Sequence, residues 1–309
     1  MNMRIVIVGP GAMGCLFAGL LAESGQIDVW LLDKIKARAD KIKENGITIE
    51  GIGRKRTVKT NATSTISEIK SADLILICVK SYSTLSATQS IIPIVKDGTI
   101  VLTLQNGLTN IDTISRVYEG KIIAGVTSHG ATMLDIGHIR HAGAGETVIG
   151  KISETLEDQE INQIADIFRL AGFNTTVSND IYSFIWGKLI INASINPITA
   201  ITKLKNGELL NHNETRGLLR MIAEESAKIA IASGVILPYN DPVSAVESVC
   251  SATSDNISSM LQDILNGRQT EIDAINGAIA EKGKELNIDT PINKVLTYLI
   301  KSLENCRLG

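Results

Sequence analysis

The sequence predicts an α/β Rossmann-type N-terminal domain with a parallel sheet over residues 1–178, followed by an all-helical C-terminal domain over residues 179–309. Three observations support this prediction. Short apolar runs alternate with helical patterns in the first half, which is typical of βαβ units. A glycine-rich turn follows the first apolar run. After Asn179 strand patterns nearly vanish, and a chain of 309 residues is long enough for about two domains.

The N-terminal half supplies the strands. The run DLILICV at 73–79 is apolar throughout, as expected for a strand buried on both faces. Between residues 128 and 150 glycines separate short alternating runs, which predicts antiparallel edge strands joined by tight turns. The predicted strands are 4–8, 28–32, 46–50, 56–60, 73–79, 99–104, 121–126, 137–142, 146–149 and 175–177, and the predicted helices are 12–24, 83–92 and 157–171.

The C-terminal half contains helical patterns only. Asp289-Thr290-Pro291 predicts the start of the last helix, with Thr290 as N-cap and Pro291 at the first helical position. The predicted helices are 181–191, 213–233, 242–252, 256–265, 270–284 and 291–305.

Composition excludes several classes of function. Lys and Arg number 30 against 33 Asp and Glu, and this net charge of -3 gives little support to a nucleic-acid or membrane partner. No run reaches the ~18 apolar residues of a membrane span, and the apolar N-terminal stretch is too short for a signal peptide. The scattered cysteines predict a reducing compartment, hence a cytoplasmic protein, and no metal-ligand spacing appears, so no metal is expected.

The turn Gly9-Pro10-Gly11-Ala12-Met13-Gly14 lies between a predicted strand and a predicted helix. Glycines there permit a tight turn and close approach of the backbone to a pyrophosphate, while the helix N-terminus offers free N–H groups to phosphate. This context predicts a dinucleotide cofactor. Its predicted binding residues in the turn are Gly9, Gly11, Ala12, Met13 and Gly14.

Asp33 stands 19 residues after Gly14, at the end of the second predicted strand. A carboxylate at this place can accept hydrogen bonds from an adenosine ribose and would repel a 2′-phosphate, which favours NAD(H). Lys34, Lys36 and Arg38 follow and could neutralise a 2′-phosphate instead, so NADP(H) stays the alternative.

Other polar residues occupy places where a ligand could bind. Lys80 and Asn106 each follow a predicted parallel strand, and ligands bind beyond the carboxyl ends of such strands. Lys188, Asn192 and Asn196 recur at i, i+4 and i+8 among apolar residues, which places them on one helical face. Solvated caps and a snorkelling lysine are the alternative interpretations.

Five motifs together carry a family resemblance: GPGAMG at 9–14, ICVK ending at Lys80, QNG around Asn106, WGKLIINASINPITA at 186–200 and NISSMLQDILNGRQTEIDAING at 256–277. On these motifs the sequence resembles the ketopantoate reductase (2-dehydropantoate 2-reductase) family over essentially its whole length. The resemblance implies a Rossmann domain and a helical domain with substrate and nicotinamide in the cleft between them. It also implies reduction of 2-dehydropantoate to (R)-pantoate with NAD(P)H, in the pathway to pantothenate and coenzyme A.

The same resemblance implies roles for individual residues. Lys188 matches the general acid that protonates the developing alkoxide, and Glu271 matches the carboxylate that engages the substrate hydroxyl. Lys80 and Asn106 match residues near both nicotinamide and substrate. The implied substrate-binding residues are Lys80, Asn106, Asn192, Asn196, Asn256, Ser259 and Glu271.

One position departs from the family pattern, because Asp33 replaces the basic residue that typically holds the 2′-phosphate.

Lys188 lies among apolar residues, and desolvation pulls the pKa of such a lysine toward neutrality, which suits proton donation. Two alternatives remain open: a reductase of a different branched 2-oxo acid, and a dinucleotide-binding sensor without turnover. The expected partner is a small 2-oxo acid, and a homodimer is possible.

Overall fold

The structure is a computed structural model, and it describes residues 3–306. The chain divides into two compact units. The first comprises the residues up to Gln105 together with Asn110–Ile181, and the second comprises Asn106–Thr109 together with the chain from Tyr182 onward. The short segment Asn106–Thr109 therefore groups with the second unit although its sequence neighbours belong to the first.

The first unit contains all twelve strands of the described chain. They are β1 (Arg4–Val8), β2 (Asp28–Leu32), β3 (Ile47–Gly51), β4 (Arg56–Val58), β5 (Asn61–Thr63), β6 (Leu74–Ile77), β7 (Ile100–Thr103), β8 (Lys121–Thr127), β9 (Gly130–Asp135), β10 (His138–Gly143), β11 (Glu146–Lys151) and β12 (Asn174–Val177). The helices are α1 (Ala12–Glu23), α2 (Lys36–Asn45), α3 (Thr84–Ile91), α4 (Thr109–Ser115), α5 (Asp158–Leu170), α6 (Ile181–Thr202), α7 (Asn213–Ala232), α8 (Pro242–Ala252), α9 (Ser259–Leu265), α10 (Ala278–Glu285) and α11 (Pro291–Asn305).

Eight strands form the main sheet in the order β12-β11-β8-β7-β6-β1-β2-β5. All neighbours are parallel except β8 and β11. The portion β5-β2-β1-β6-β7-β8 has the strand order of the Rossmann fold, whose switch point lies beside β1. The strands β1, β6 and β7 are almost fully buried and apolar, because helices cover both faces of a parallel sheet. The predicted fold class is confirmed.

The region between residues 128 and 150 differs from the prediction of antiparallel edge strands. β10 lies inside a separate four-stranded sheet, β4-β3-β10-β9, where it is parallel to β3 and antiparallel to β9. β11 lies inside the main sheet, antiparallel to β8 and parallel to β12. Sequence alternation shows that a strand has two different faces, but it does not show which distant strand will pair with it.

Four elements of the first unit were not predicted: β5, β9, α2 and α4. They are short or strongly polar, so their hydrophobic periodicity is weak. The hydrophobic core of the first unit contains a defined cluster of aromatic side chains. Phe17 of α1 stacks on Phe173 with ring centroids 4.1 Å apart, and Phe168 of α5 packs 5.4 Å from Phe17. α1 contacts strands of both sheets, so this aromatic cluster ties them together.

Every regular element among the described residues of the second unit is a helix. Its central helix, α6, continues for 22 residues and passes through Pro197, whereas the prediction ended at residue 191. By length and mean hydropathy α6 could cross a membrane, although, as expected, its sequence contains no uninterrupted run of ~18 apolar residues. However, 72% of its most apolar window is buried within the structure, so the core of this unit accounts for its apolar residues.

Two further helices differ from prediction in their boundaries, and a third, α11, has the predicted boundaries but a different cap. α9 begins at Ser259 rather than at 256, and the predicted helix 270–284 consists of a π-helical turn, Asp273–Gly277, followed by α10. Thr290 occupies the N-cap position of α11, but its side chain makes no capping hydrogen bond. Instead the carboxylate of Glu225 in α7 accepts the first free N–H groups of α11.

Candidate active site

The glycine-rich turn after β1 is compact for steric reasons. Gly9 has φ +97°, a backbone conformation that favours glycine, and a Cβ there would lie 2.7 Å from the Val79 side chain. A Cβ on Gly14 would lie only 2.1 Å from the Gly9 carbonyl oxygen. Both glycines are therefore required by close packing between the turn, α1 and the end of β6.

Gly11 differs because its surroundings are open. It is exposed, and a Cβ added to it would meet no atom within 4 Å. Gly11 is also the N-cap of α1, where no side chain caps the helix and no acidic residue occupies the first turn. Uncapped N–H groups, the positive end of the helix dipole and open space fit the phosphates of a dinucleotide. Ala12 and Met13 form the first turn of this helix and supply N–H groups to the same place.

Asp33 directly follows β2, but its carboxylate is buried and already paired, whereas we expected it to accept hydrogen bonds from an adenosine ribose. Its side chain is only 2% exposed, and both carboxylate oxygens accept hydrogen bonds from Arg38, Oδ2 from Nε at 2.6 Å and Oδ1 from Nη2 at 2.7 Å. The backbone N–H of Ile35 donates to Oδ1 at 3.0 Å. This hydrogen-bonded pairing raises the pKa of Arg38. The group that this strand end presents to solvent is thus the guanidinium of Arg38, whose side chain is 40% exposed.

Lys80 is half-buried and immediately precedes a short 3₁₀ turn, Ser81–Ser83, beyond β6. The neighbouring strand end is fixed by a residue that the sequence did not single out. Gln105 follows β7, and its Nε2 donates to the Val79 carbonyl at 2.7 Å and to the Thr84 hydroxyl at 2.8 Å. Gln105 therefore holds the segment that carries Lys80 against the end of β7. Its position beyond a parallel strand is the signal that could have found it.

The polar face of α6 forms as its spacing predicts. Lys188 and Asn192 are half-buried and Asn196 is buried. Asn192 Nδ2 lies 3.5 Å from Asn106 Oδ1, and both residues belong to the second unit. Gly107 has φ +98°, and a Cβ there would lie 2.5 Å from the Ala274 carbonyl oxygen. This close approach packs the Asn106 segment against the π-helical turn and places Asn106 near Asn192.

Lys188 and Glu271 are electrostatically coupled. Desolvation by burial lowers the pKa of Lys188 to about 8, and the nearby negative charge of Glu271 opposes this shift. Glu271 itself is 7% exposed, so its carboxylate is also largely removed from water. An amine whose pKa lies near neutrality can both carry a proton and release it at physiological pH.

Asn256 lies in the loop that precedes α9, Ser259 is the first residue of α9, and both are exposed. Asn256 is in a turn rather than in the predicted helix, where its carbonyl accepts from the Asn206 N–H at 3.0 Å. The neighbouring Ser258, which the sequence did not single out, is buried. Its hydroxyl caps α9 by accepting from the Leu261 N–H, and it lies 2.6 Å from the Thr199 hydroxyl of α6. Ser258 thus attaches the start of α9 to α6.

Comparison with known proteins identifies the family. The sequence model for ketopantoate reductase PanE/ApbA matches residues 5–154, and that for the ketopantoate reductase PanE/ApbA C terminal matches residues 180–304. The chain belongs to this family. Its members include the 2-dehydropantoate 2-reductase of Pyrococcus abyssi, which is 39% identical over 302 residues and covers 98% of each chain. That of Archaeoglobus fulgidus is 33% identical over the same share of each chain.

Solved structures show the same fold. A PanE/ApbA family ketopantoate reductase from Ralstonia eutropha JMP134 has a TM-score of 0.91 at 34% identity, covering 99% of this chain and 100% of that one. The ternary structure of D-mandelate dehydrogenase with NADH and anilino(oxo)acetate has a TM-score of 0.94 at 29% identity, covering 99% of each chain. The whole architecture of this chain is therefore that of the ketopantoate reductase family.

The two glycines Gly11 and Gly14 provide a test of the dinucleotide site. Gly11→Ala adds a methyl group to open space, so we expect an unchanged melting temperature but dinucleotide affinity weakened by roughly tenfold, about 1.4 kcal/mol. Gly14→Ala is expected to destabilise the fold itself, because its Cβ would overlap the Gly9 carbonyl. Thermal melts and NADH fluorescence titrations measure both effects. Gly217→Ala is the control, because its Cβ also enters open space but lies within α7. Unchanged NADH affinity in Gly11→Ala would show that Gly11 does not belong to the dinucleotide site.

Proposed function

We propose that this chain catalyses the NAD(P)H-dependent reduction of 2-dehydropantoate to (R)-pantoate, a step in pantothenate and coenzyme A biosynthesis. The observation that carries the proposal is the polar face of α6, where Lys188 has a pKa of about 8 beside the charge of Glu271. This arrangement occurs in a chain with full-length relatives named 2-dehydropantoate 2-reductase. The names of these relatives and the chemistry of Lys188 and Glu271 thus support the same reaction.

Lys188 is assigned the role of general acid. A bound nicotinamide would supply the hydride. As negative charge develops on the keto oxygen, the Lys188 ammonium stabilises that charge and donates a proton from Nζ to the oxygen, which leaves a neutral amine. Desolvation makes this proton easier to release, while the negative charge of Glu271 favours the protonated form before the reaction. Solvent then returns the proton to Lys188.

The remaining site residues are assigned to substrate binding. Asn106, Asn192 and Asn196 offer amide donors and acceptors. Asn192 Nδ2 lies 3.5 Å from Asn106 Oδ1. Lys80, Asn256 and Ser259 supply further polar groups. Glu271 is assigned to accept a hydrogen bond from the substrate hydroxyl, a role that a carboxylate can fill while it is charged. Buried or half-buried partners discriminate strongly between substrates that can and cannot hydrogen-bond to them.

The cofactor is assigned as NAD(H) in preference to NADP(H). The support lies in the paired state of Asp33, because its carboxylate neutralises the guanidinium of Arg38 and so reduces the positive charge offered to a 2′-phosphate. A ternary complex of the structurally similar D-mandelate dehydrogenase contains NADH. Lys34 and Lys36 lie nearby, and Lys36 is itself paired with Asp40.

A second candidate function is reduction of a different 2-oxo acid. The similarity to D-mandelate dehydrogenase over 99% of both chains favours it, since that enzyme has the same fold and is named for an aromatic 2-hydroxy acid. A dinucleotide-binding sensor without turnover is the third candidate function.

The cytoplasmic location and the homodimer stay predictions.

A substrate panel tests these candidates directly. The oxidation of NADH and of NADPH is followed over a range of concentrations of 2-dehydropantoate, of other branched 2-oxo acids and of aromatic 2-oxo acids. We expect the highest kcat/KM with 2-dehydropantoate. A higher value with another 2-oxo acid would replace the proposed substrate, and dinucleotide binding without turnover of any of them would favour the sensor.

Replacement of Lys188 tests the general acid. We expect Lys188→Ala to lower kcat by roughly 10²–10⁴-fold while dinucleotide affinity is retained. The wild-type kcat/KM should be constant at low pH and fall as pH rises through about 8, because only protonated Lys188 can donate. Lys188→Arg keeps the charge but holds its proton, so it should be slow and lack this decline. Near-normal turnover by Lys188→Ala would refute the assignment.

The Asp33–Arg38 pair gives a test of cofactor choice. We expect Asp33→Asn to raise the ratio of kcat/KM for NADPH over NADH by roughly tenfold, about 1.4 kcal/mol, because Arg38 loses its neutralising partner. In Asp33→Asn/Arg38→Ala the gain should disappear. Asp40→Asn, which breaks the exposed ion pair with Lys36, is the matched control. If Asp33→Asn leaves the ratio unchanged, this pair does not set cofactor preference.

A further inference from the structure

Helix α6 has a missing backbone hydrogen bond between the residues of its polar face. Pro197 lies inside the helix and has no N–H, so it cannot donate to the carbonyl of Ala193, four residues earlier. Ala193 is fully buried, so water is not available to it. A buried carbonyl without a hydrogen-bond partner destabilises the folded state, which makes a substitute donor necessary.

Asn276 supplies that donor from the π-helical turn. Its Nδ2 donates to the Ala193 carbonyl at 3.0 Å, and the side chain is fully buried. The Gly277 N–H donates to the Ile272 carbonyl at 3.0 Å, the bond that spans five residues in a π-turn. Such a turn contains one more residue than an α-helical turn, and it therefore alters which side chains point toward α6.

The orientation of the Asn276 amide is fixed by its neighbours. Glu225 accepts from Asn293 Nδ2 at 2.8 Å, and an ionised carboxylate can only accept, so Asn293 must place its Nδ2 there. Asn293 Oδ1 then accepts from Asn276 Nδ2 at 2.9 Å. Glu225 also accepts the N–H groups of Ile292 and Asn293 at the start of α11. The Ala193 carbonyl is thus tied through buried amides to α11 and α7.

The position of this bond relates it to the proposed chemistry. Ala193 lies between Lys188 and Asn196 on α6, and Asn276 lies five residues after Glu271. Asn276 therefore joins the helix that carries the general acid to the segment that carries the carboxylate. The Coulomb interaction of two charges depends inversely on their separation and strongly on local water. A small movement of α6 would therefore change the interaction of Lys188 with Glu271 and, with it, the pKa of Lys188.

We propose that Asn276 is a positioning residue for the reaction: through its hydrogen bond to the Ala193 carbonyl, it fixes helix α6 so that Lys188 keeps its half-buried position near Glu271. The proposal rests on the proposed function for its kinetic readout. It assigns Pro197 a matching role, because the proline removes the local donor and so leaves the carbonyl open to Asn276. The network is entirely within the second unit.

The decisive comparison uses Asn276→Leu, which removes the donor and keeps the number and branching of the side-chain heavy atoms. We expect kcat to fall at least tenfold with the NADH affinity unchanged. The decline of kcat/KM with pH should move to higher pH, because a loosened α6 admits water to Lys188 and relieves its desolvation. Thr215→Val is the matched control, since it removes another buried side-chain donor to a backbone carbonyl in the same unit. It should lower stability without moving the pH profile.

The double variant Asn276→Leu/Pro197→Ala separates positioning from stability. Residue 197 then has an N–H that can bond the Ala193 carbonyl within the helix, so we expect the melting temperature to recover. The kcat and the pH profile should stay altered, because α6 is still not tied to the π-turn. Recovery of wild-type kcat and pH profile together with stability would overturn the proposal, and so would wild-type kinetics in Asn276→Leu.

A second readout does not depend on turnover. The rate of Lys188 acetylation by acetic anhydride, measured by mass spectrometry against pH, follows the neutral amine. We expect its midpoint to rise in Asn276→Leu and in the double variant, but not in Thr215→Val, and an unchanged midpoint would overturn the positioning role. If the wild-type chain reduces no 2-oxo acid, the proposed function fails, while this titration still decides whether Asn276 positions Lys188.

Discussion

Lys188 has to be kept largely out of water inside the helix that also forms the core of the second unit. Desolvation of an ammonium is unfavourable, and here it is strong enough to lower the pKa of Lys188 to about 8. The charge of Glu271 offsets part of that cost. Apolar residues on the other faces of α6 pack into the core and fix the helix, so the polar face has a defined position. The chemistry proposed for this family member depends on that compromise.

The same helix shows how a local defect becomes part of a tertiary arrangement. Pro197 prevents α6 from satisfying its own backbone, and the missing donor comes from Asn276, which is 83 residues away in sequence from Ala193. Glu225 acts similarly when it caps α11 in place of Thr290. Buried polar groups of this kind favour one arrangement of the helices, because other arrangements would leave more of them unpaired. Within this network the buried Oδ1 of Asn276 has no hydrogen-bond partner among the described residues, so only the Nδ2 side of that amide is satisfied.

The glycine-rich turn that we propose for dinucleotide binding has a more local origin. The contact of a Gly14 Cβ with the Gly9 carbonyl is a steric requirement within one strand–turn–helix motif, and Gly9 also approaches Val79 at the end of β6. That is why six consecutive residues were enough to predict the strand–turn–helix motif. The state of Asp33 was not accessible in this way. Its ionic partner, Arg38, is a near neighbour in sequence, but the bidentate geometry and the burial of the carboxylate depend on how the chain folds after β2.

The sequence by itself determined the fold class, most strands of the main sheet and the shared face of Lys188, Asn192 and Asn196, because these follow from periodicity within one element. The tertiary structure decided which distant segments meet. It paired β10 with β3, grouped Asn106 with the helical unit, exchanged Thr290 for Glu225 as a cap and brought Asn276 to Ala193. Periodicity reports which side of an element is buried, whereas partners across the core are selected by packing and by the need of every buried polar group for a hydrogen bond.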